Sequence, residues 1–258
     1  MSLTPVLDKI DSDISAATDR LLELLRIPSI STDPAYKADC DAAADWLVKD
    51  LNSIGIKAEK RETPGHPMVV GHVGEENTDG PHLLFYGHYD VQPVDPLNLW
   101  NTPPFEPKLE ETSNGTVIRG RGASDDKGQL MTFVEACRAW QAVHGTLPCR
   151  ITFFFEGEEE SGSPSLIPFL NAAKEELSAD IALICDTSMV ARGVPSVASQ
   201  LRGMMKDEFT LIGPKIDLHS GHYGGPGLNP LREMSHIIAS FHDPETGAVA
   251  VEGFYEGV

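Results

Sequence analysis

The decapeptide Arg119-Gly120-Arg121-Gly122-Ala123-Ser124-Asp125-Asp126-Lys127-Gly128 constrains this chain more than any other stretch. It follows a β-prone run, Thr116-Val117-Ile118, and opens a helical pattern that reaches about Val143. Carboxylates are thereby set on a glycine-rich turn between a strand and a helix. Three further apolar runs end in similar chemistry. Phe85-Tyr86-Gly87 leads into His88-Tyr89-Asp90, and Ile151 to Phe155 leads into Glu156-Gly157-Glu158-Glu159-Glu160. Ile181 to Cys185 leads into Asp186. If these four runs are strands of one open α/β sheet, their carboxyl ends share an edge, and ligands bind at such an edge.

The rest of the chain supports that architecture. Leu7, Ile10, Ile14, Leu21, Leu22, Leu24 and Leu25 recur at helical spacing over residues 6–26, and Pro28 ends the pattern. Ala43, Trp46, Leu47, Leu51 and Ile54 predict a second helix over 37–54, closed by Gly55. Strands are expected near 57–61, 68–73, 82–87, 150–155 and 181–185, with helices over 127–143 and 165–177. The segment 91–114, with Pro93, Pro96, Pro103 and Pro104, reads as an irregular loop. This alternation predicts an α/β fold: a mostly parallel mixed sheet flanked by helices. The pattern changes near residue 203, where a half-exposed strand (206–213) and a helix (229–241) suggest a second, smaller α+β domain. The expected division is 1–203 and 204–258.

A formal net charge of −19 and the lack of a Lys/Arg cluster argue against nucleic-acid or anionic-membrane partners. No apolar run approaches the length of a membrane span, and the N-terminus lacks the pattern of a signal peptide. Cys40, Cys137, Cys149 and Cys185 form no C-x-x-C pair. They read as free thiols in a reducing compartment, so a cytoplasmic protein is expected.

The inventory at the shared edge is His88, Asp90, Asp125, Asp126, Glu158, Glu159, Glu160 and Asp186, whose converging carboxylates would repel one another unless protonated or paired with cations. Two divalent metals would neutralise them, and mixed nitrogen and oxygen donors suit Zn²⁺, Mn²⁺ or Co²⁺. Asp90, two residues after His88, fits an orienter of a metal-bound imidazole. Of the adjacent Glu159 and Glu160, one would bind metal and the other would take a proton from water. Singly, each element has a plainer account: a capping pair, a solvated helix start, an N-cap. Their conjunction at successive strand ends favours metal.

On these residues the chain resembles the M20 family of metallopeptidases, and within it the cytosolic non-specific dipeptidase and carnosinase branch. Matching stretches are Leu25 to Ser31, Gly87 to Pro93, Arg119 to Gly128, Glu156 to Ser163, Leu201-Arg202-Gly203 and Asp217 to Gly225. The resemblance implies a zinc-exopeptidase-like catalytic domain with a lid that mediates homodimerisation. It implies that His88 and Asp186 bind one metal, Asp125 bridges two, and Glu160 binds the second. Glu159 would be the general base, Asp90 would orient His88, and the Asp125–Asp126 peptide would be cis. His219, in Leu218-His219-Ser220-Gly221, would assist the developing oxyanion from the lid of a partner subunit. The implied reaction is hydrolysis of a dipeptide or short peptide. Alternatives are an N-acyl-amino-acid deacylase of the acetylornithine or succinyl-diaminopimelate type, and a non-catalytic binding relative.

One departure stands out. The family carries a final metal-binding histidine in a C-terminal stretch, and no histidine follows His242 here. The expectation is therefore a piece of a longer protein, with one ligand of the second metal and about half of the lid lying outside it.

Overall fold

The apolar runs become the middle of a five-stranded sheet in the computed structural model, which describes residues 2–74 and 80–257. In chain order the first unit, Met1–Ser196, contains α1 (Thr4–Leu25), α2 (Lys37–Ser53), β1 (Lys57–Arg61), β2 (Met68–Val73) and β3 (Leu83–His88). It continues with β4 (Lys108–Thr112), β5 (Gly115–Arg119), α3 (Lys127–His144), β6 (Ile151–Glu156), α4 (Leu166–Ala172) and β7 (Ile181–Ile184). The main sheet runs β1-β2-β6-β3-β7. β6, β3 and β7 are mutually parallel, whereas β2 is antiparallel to both β1 and β6. The sheet is thus mixed, as expected, and its parallel part is the part that carries the polar strand ends.

Period-two alternation sorts the strand residues onto two faces. Val69, Phe85, Phe153 and Phe155 meet Leu24 of α1, Ala43, Leu47 and Leu51 of α2, and Leu130 and Val134 of α3. Met68, Val70 and Phe154 face the other way, against Leu177 and the partly buried Leu84, Leu166 and Phe169. Phe85 stacks on Phe133 at 3.9 Å between ring centroids, and Phe154 on Phe169 at 5.6 Å. With a neighbour on each edge and apolar layers on both faces, β6 is buried at every residue. Each of its fully buried rings contributes roughly 2–3 kcal/mol of transfer free energy. α3 ends where Gly145 adopts φ of 72° and returns its N–H to Gln141 O at 2.8 Å, a left-handed cap that glycine supplies without strain. The Arg138 guanidinium grips Asp50 of α2, and Glu135 holds Arg20 of α1, tying three helices together.

Two expectations about the first unit are corrected. The run 116–118 is not a strand of the main sheet: among the described residues β5 pairs with β4 alone, in a separate antiparallel hairpin. The segment 91–114 is accordingly not loop throughout, since β4 lies within it. The hairpin signal was Asn114-Gly115, and Gly115 has φ of 97°. Asp125 is therefore delivered by a loop from a hairpin into α3, not by the end of a sheet strand.

The second unit, Val197–Val258, contains α5 (Ser220–Tyr223) and α6 (Pro230–Ala239). Asn229 caps α6 by accepting the N–H of Leu231 at 2.9 Å. The expected strand at 206–213 is not formed: this stretch makes no ladder with any described residue, and extended chain without a neighbour is not a strand. None of the described residues of this unit is fully buried. No helix among the described residues is long and apolar enough to cross a membrane.

Candidate metal centre

His88 ends β3 and is completely buried. Its N–H donates to Asp126 Oδ2 at 3.0 Å. Its Nδ1 lies 3.1 Å from the carbonyl oxygen of Asp90 and 3.3 Å from Asp90 Oδ1. Two acceptors at Nδ1 place the ring hydrogen there, which leaves the Nε2 lone pair for an electrophile. Nε2 faces Asp125 Oδ1 at 3.1 Å and Asp186 Oδ2 at 3.6 Å.

The parallel register explains the convergence. His88 is opposite Glu156, so the residues that follow β6 lie beside the end of β3. β7 stops at Ile184, and Asp186 follows two residues later on the same edge. Two sets of donor atoms share the imidazole: His88, Asp125 and Asp186, and His88, Glu159 and Glu160. Within each set the donor atoms lie within 4.8 Å of one another.

Asp90 has no exposed surface, and it holds more than the imidazole. Its Oδ1 accepts the N–H of Glu159 at 3.2 Å and its Oδ2 the N–H of Glu160 at 3.0 Å. Those amides belong to the short 3₁₀ turn Glu159–Ser161, a local geometry that the Glu run did not reveal. Glu158, counted in the sequence among the clustered carboxylates, is in neither donor set. It is buried and accepts the N–H groups of His66 and Ser165, each at 2.9 Å. Asp126 also turns inward, as the acceptor for His88 N–H, and the Asp125–Asp126 peptide is cis. Gln92 is a contact that sequence reasoning missed: its Nε2 donates to Glu160 Oε2 at 2.6 Å. Gly157 is another position whose role was not visible, since a Cβ there would fall inside the phenol of Tyr89.

The electrostatics are those of an acidic cluster. Burial raises Glu159, Glu160 and Asp186, and neighbouring carboxylates push the same way. Burial carries Asp126 up to about 7. For His88 burial works downward, but the hydrogen bond and charge of Asp90, with Asp126 and Asp186, raise it to about 10. Lys127 does not neutralise the group. Its Nζ is buried against the carbonyls of Leu24 (3.2 Å) and Ile27 (2.7 Å), and burial lowers it to about 7. Among the described residues no lysine or arginine pairs with Asp125, Glu159, Glu160 or Asp186. One imidazole nitrogen and convergent carboxylate oxygens with no organic counter-cation fit a divalent metal.

His219 lies in the second unit, as the N-cap of α5, where its Nδ1 accepts the N–H of Gly221 at 3.0 Å.

A family profile described as "Peptidase family M20/M25/M40" matches residues 84–251, from the middle of β3 to beyond α6. The chain belongs to peptidase family M20/M25/M40. Divalent-metal use comes with membership of this M20 family, in agreement with the donor set. Among M20 relatives, the Cys-Gly metallodipeptidase dug1 of Schizosaccharomyces pombe is 32% identical over 270 residues, which cover 100% of this chain and 56% of the relative. The Beta-Ala-His dipeptidase of Homo sapiens is 31% identical over 242 residues, 92% of this chain and 45% of that protein. The crystal structure of human carnosine dipeptidase 1 superposes with a TM-score of 0.78 at 25% identity, covering 99% of this chain and 55% of the other. The M20 chain described here thus spans about half the length of the relatives it matches.

Proposed function

We propose that this chain supplies the metal-binding half of a metal-dependent dipeptidase. The observation that carries the reading is the pair of donor sets sharing His88, one with Asp125 and Asp186 and the other with Glu159 and Glu160. The names of the relatives, Cys-Gly metallodipeptidase and Beta-Ala-His dipeptidase, favour dipeptides over acylated amino acids.

Two cations are assigned, Zn²⁺ first and Mn²⁺ or Co²⁺ as substitutes. His88 and Asp186 would hold one, Asp125 would bridge, and Glu160 would hold the other. When bound, such ions supply Lewis acidity that lowers the pKa of water. Glu159 is the general base: its carboxylate takes the proton of the attacking water and passes it to the leaving amine. Its raised proton affinity suits that task. Asp90 keeps the hydrogen of His88 on Nδ1 and fixes the turn that carries Glu159 and Glu160. His219 is assigned to the oxyanion. Because Nδ1 already accepts Gly221 N–H, the neutral ring carries its hydrogen on Nε2, the form that donates. Residues 1–203 are taken as the catalytic domain and 204–258 as the start of a lid that joins two copies. Four free cysteines, three of them buried, support a reducing, cytoplasmic setting.

The test is amino-acid release from dipeptides and from N-acetyl amino acids, with Zn²⁺ or Mn²⁺ and with a chelated control. Chelator-sensitive release from dipeptides is expected, and Glu159→Gln should lose about 10²- to 10⁴-fold in rate while retaining metal. Release from acylated substrates alone would overturn the dipeptidase assignment. Full activity in Glu159→Gln would overturn the role of the base.

A further inference from the structure

We infer that Gln92 is a positioning residue for Glu160, fixing that carboxylate as a one-oxygen metal donor. The inference rests on the reading of Glu160 as a ligand, and it assigns work to a side chain outside both donor sets.

A carboxylate is acceptor-only, so the amide end facing it must be the NH₂ group. The Gln92 Nε2 to Glu160 Oε2 distance of 2.6 Å is that of a charge-assisted bond. With Oε2 engaged, Glu160 has one oxygen to offer a cation. Free rotation about its terminal torsion would otherwise let either oxygen, or both, turn inward.

The backbone around Gln92 is built to aim it. Val91 is completely buried and donates its N–H to Ser29 O at 2.9 Å. Pro93 follows and confines Gln92 to extended geometry. The Pro93 carbonyl accepts Arg121 Nη2 at 2.8 Å, and the Arg121 guanidinium lies 5.2 Å from the centroid of Trp100. Arg121 belongs to the loop that delivers Asp125. The loop after β3 and the loop before α3 are therefore clamped together, with Gln92 between the two clamps. Its side chain is exposed, yet its starting point is rigid.

The experiment is Zn²⁺ binding to the 258-residue chain by competition with a chromophoric chelator. It compares wild type, Gln92→Ala, Gln92→Met, Glu160→Ala and the Gln92→Ala/Glu160→Ala double variant, with the unfolding midpoint as a check on folding. Gln92→Ala should weaken the Glu160-dependent Zn²⁺ by about 10- to 100-fold, the range for removal of an orienting partner. Gln92→Met, which keeps the length and removes the donor, should match it. In the Glu160→Ala background Gln92→Ala should add nothing, because its only route to the metal is gone. Wild-type affinity in Gln92→Ala or Gln92→Met overturns the inference, as does an equal loss with and without Glu160. If the wild-type chain takes up no Zn²⁺, the metal reading falls and this inference falls with it, an outcome distinct from the others.

Discussion

Asp90 accepts the N–H of Glu159 at 3.2 Å with the same carboxylate that faces His88 Nδ1 at 3.3 Å. One buried side chain thus sets the tautomer of the shared imidazole and the position of the assigned base. Asp90→Asn presents one acceptor oxygen where two are needed, and its NH₂ group would confront a donor. The expected result is about 10- to 100-fold weaker metal binding and a loss of about 1–3 kcal/mol in stability from the one part-buried amide left without an acceptor. Chelator competition and urea unfolding measure the two. Unchanged metal affinity would show that the link between the ligands and the turn does not matter.

Metal should stabilise the fold. A ligand that binds only the folded state, at 100 times its dissociation constant, adds about 2.7 kcal/mol. The repulsion among Asp125, Glu159, Glu160 and Asp186 is what the cation relieves, so Asp125→Ala should diminish the rise. Thermal unfolding with Zn²⁺ against a chelated sample is the measurement. A midpoint indifferent to the metal would argue that the donor sets do not hold it.

Gly157 separates β6 from the Glu159–Ser161 turn and lies against Tyr89, whose hydroxyl donates to Pro67 O at 2.5 Å. Gly157→Ala must displace that fully buried ring, at a cost of about 1–3 kcal/mol. The two positions are coupled, so the cost should shrink in a Tyr89→Ala background, as denaturant titration of the four proteins would reveal. Simple additivity would mean that the methyl group is accommodated elsewhere.

Glu176 gives a pH signature away from the metal site. Burial raises its proton affinity, but the hydrogen bonds of His72 (2.9 Å) and Arg61 (2.8 Å) outweigh it, so the folded pKa is lowered. For a carboxylate with a lowered folded pKa, the stabilisation is present above the unfolded value, about 4.3. It is lost as pH falls through the folded value. The group is one-third exposed, so solvent screening limits the contribution to about 0.5 kcal/mol. Glu176→Gln should be less stable than wild type by that amount at pH 7, and the difference should shrink as pH falls through the lowered folded pKa. A difference that does not change with falling pH would assign the effect to packing.

The sequence alone was enough for the sheet and most of the helices around it. Runs such as Ile151–Phe155 are apolar at every position because both faces are covered, and α1, α2 and α3 carry their apolar residues at helical spacing. The hairpin was misread because Pro93, Pro96, Pro103 and Pro104 outweighed a single Asn114-Gly115 signal. The strand expected at 206–213 was misread because alternation predicts which face is buried but not whether a partner exists.

The same division runs through the site. Residue type and position at strand ends already pointed to His88, Glu159, Glu160 and Asp186, because parallel strands bring their carboxyl ends to one edge; Asp125 joins them from the loop between β5 and α3. The separate fates of Glu158, Asp126 and Lys127 were decided by tertiary structure: an acidic neighbour of a candidate donor can turn inward to accept backbone N–H groups, and a lysine can direct its ammonium at two carbonyls. Asp90 and Gln92 acquired their partners the same way. Their contacts cross 69 and 68 residues of chain, a distance over which only the register of β3 against β6 determines who meets whom.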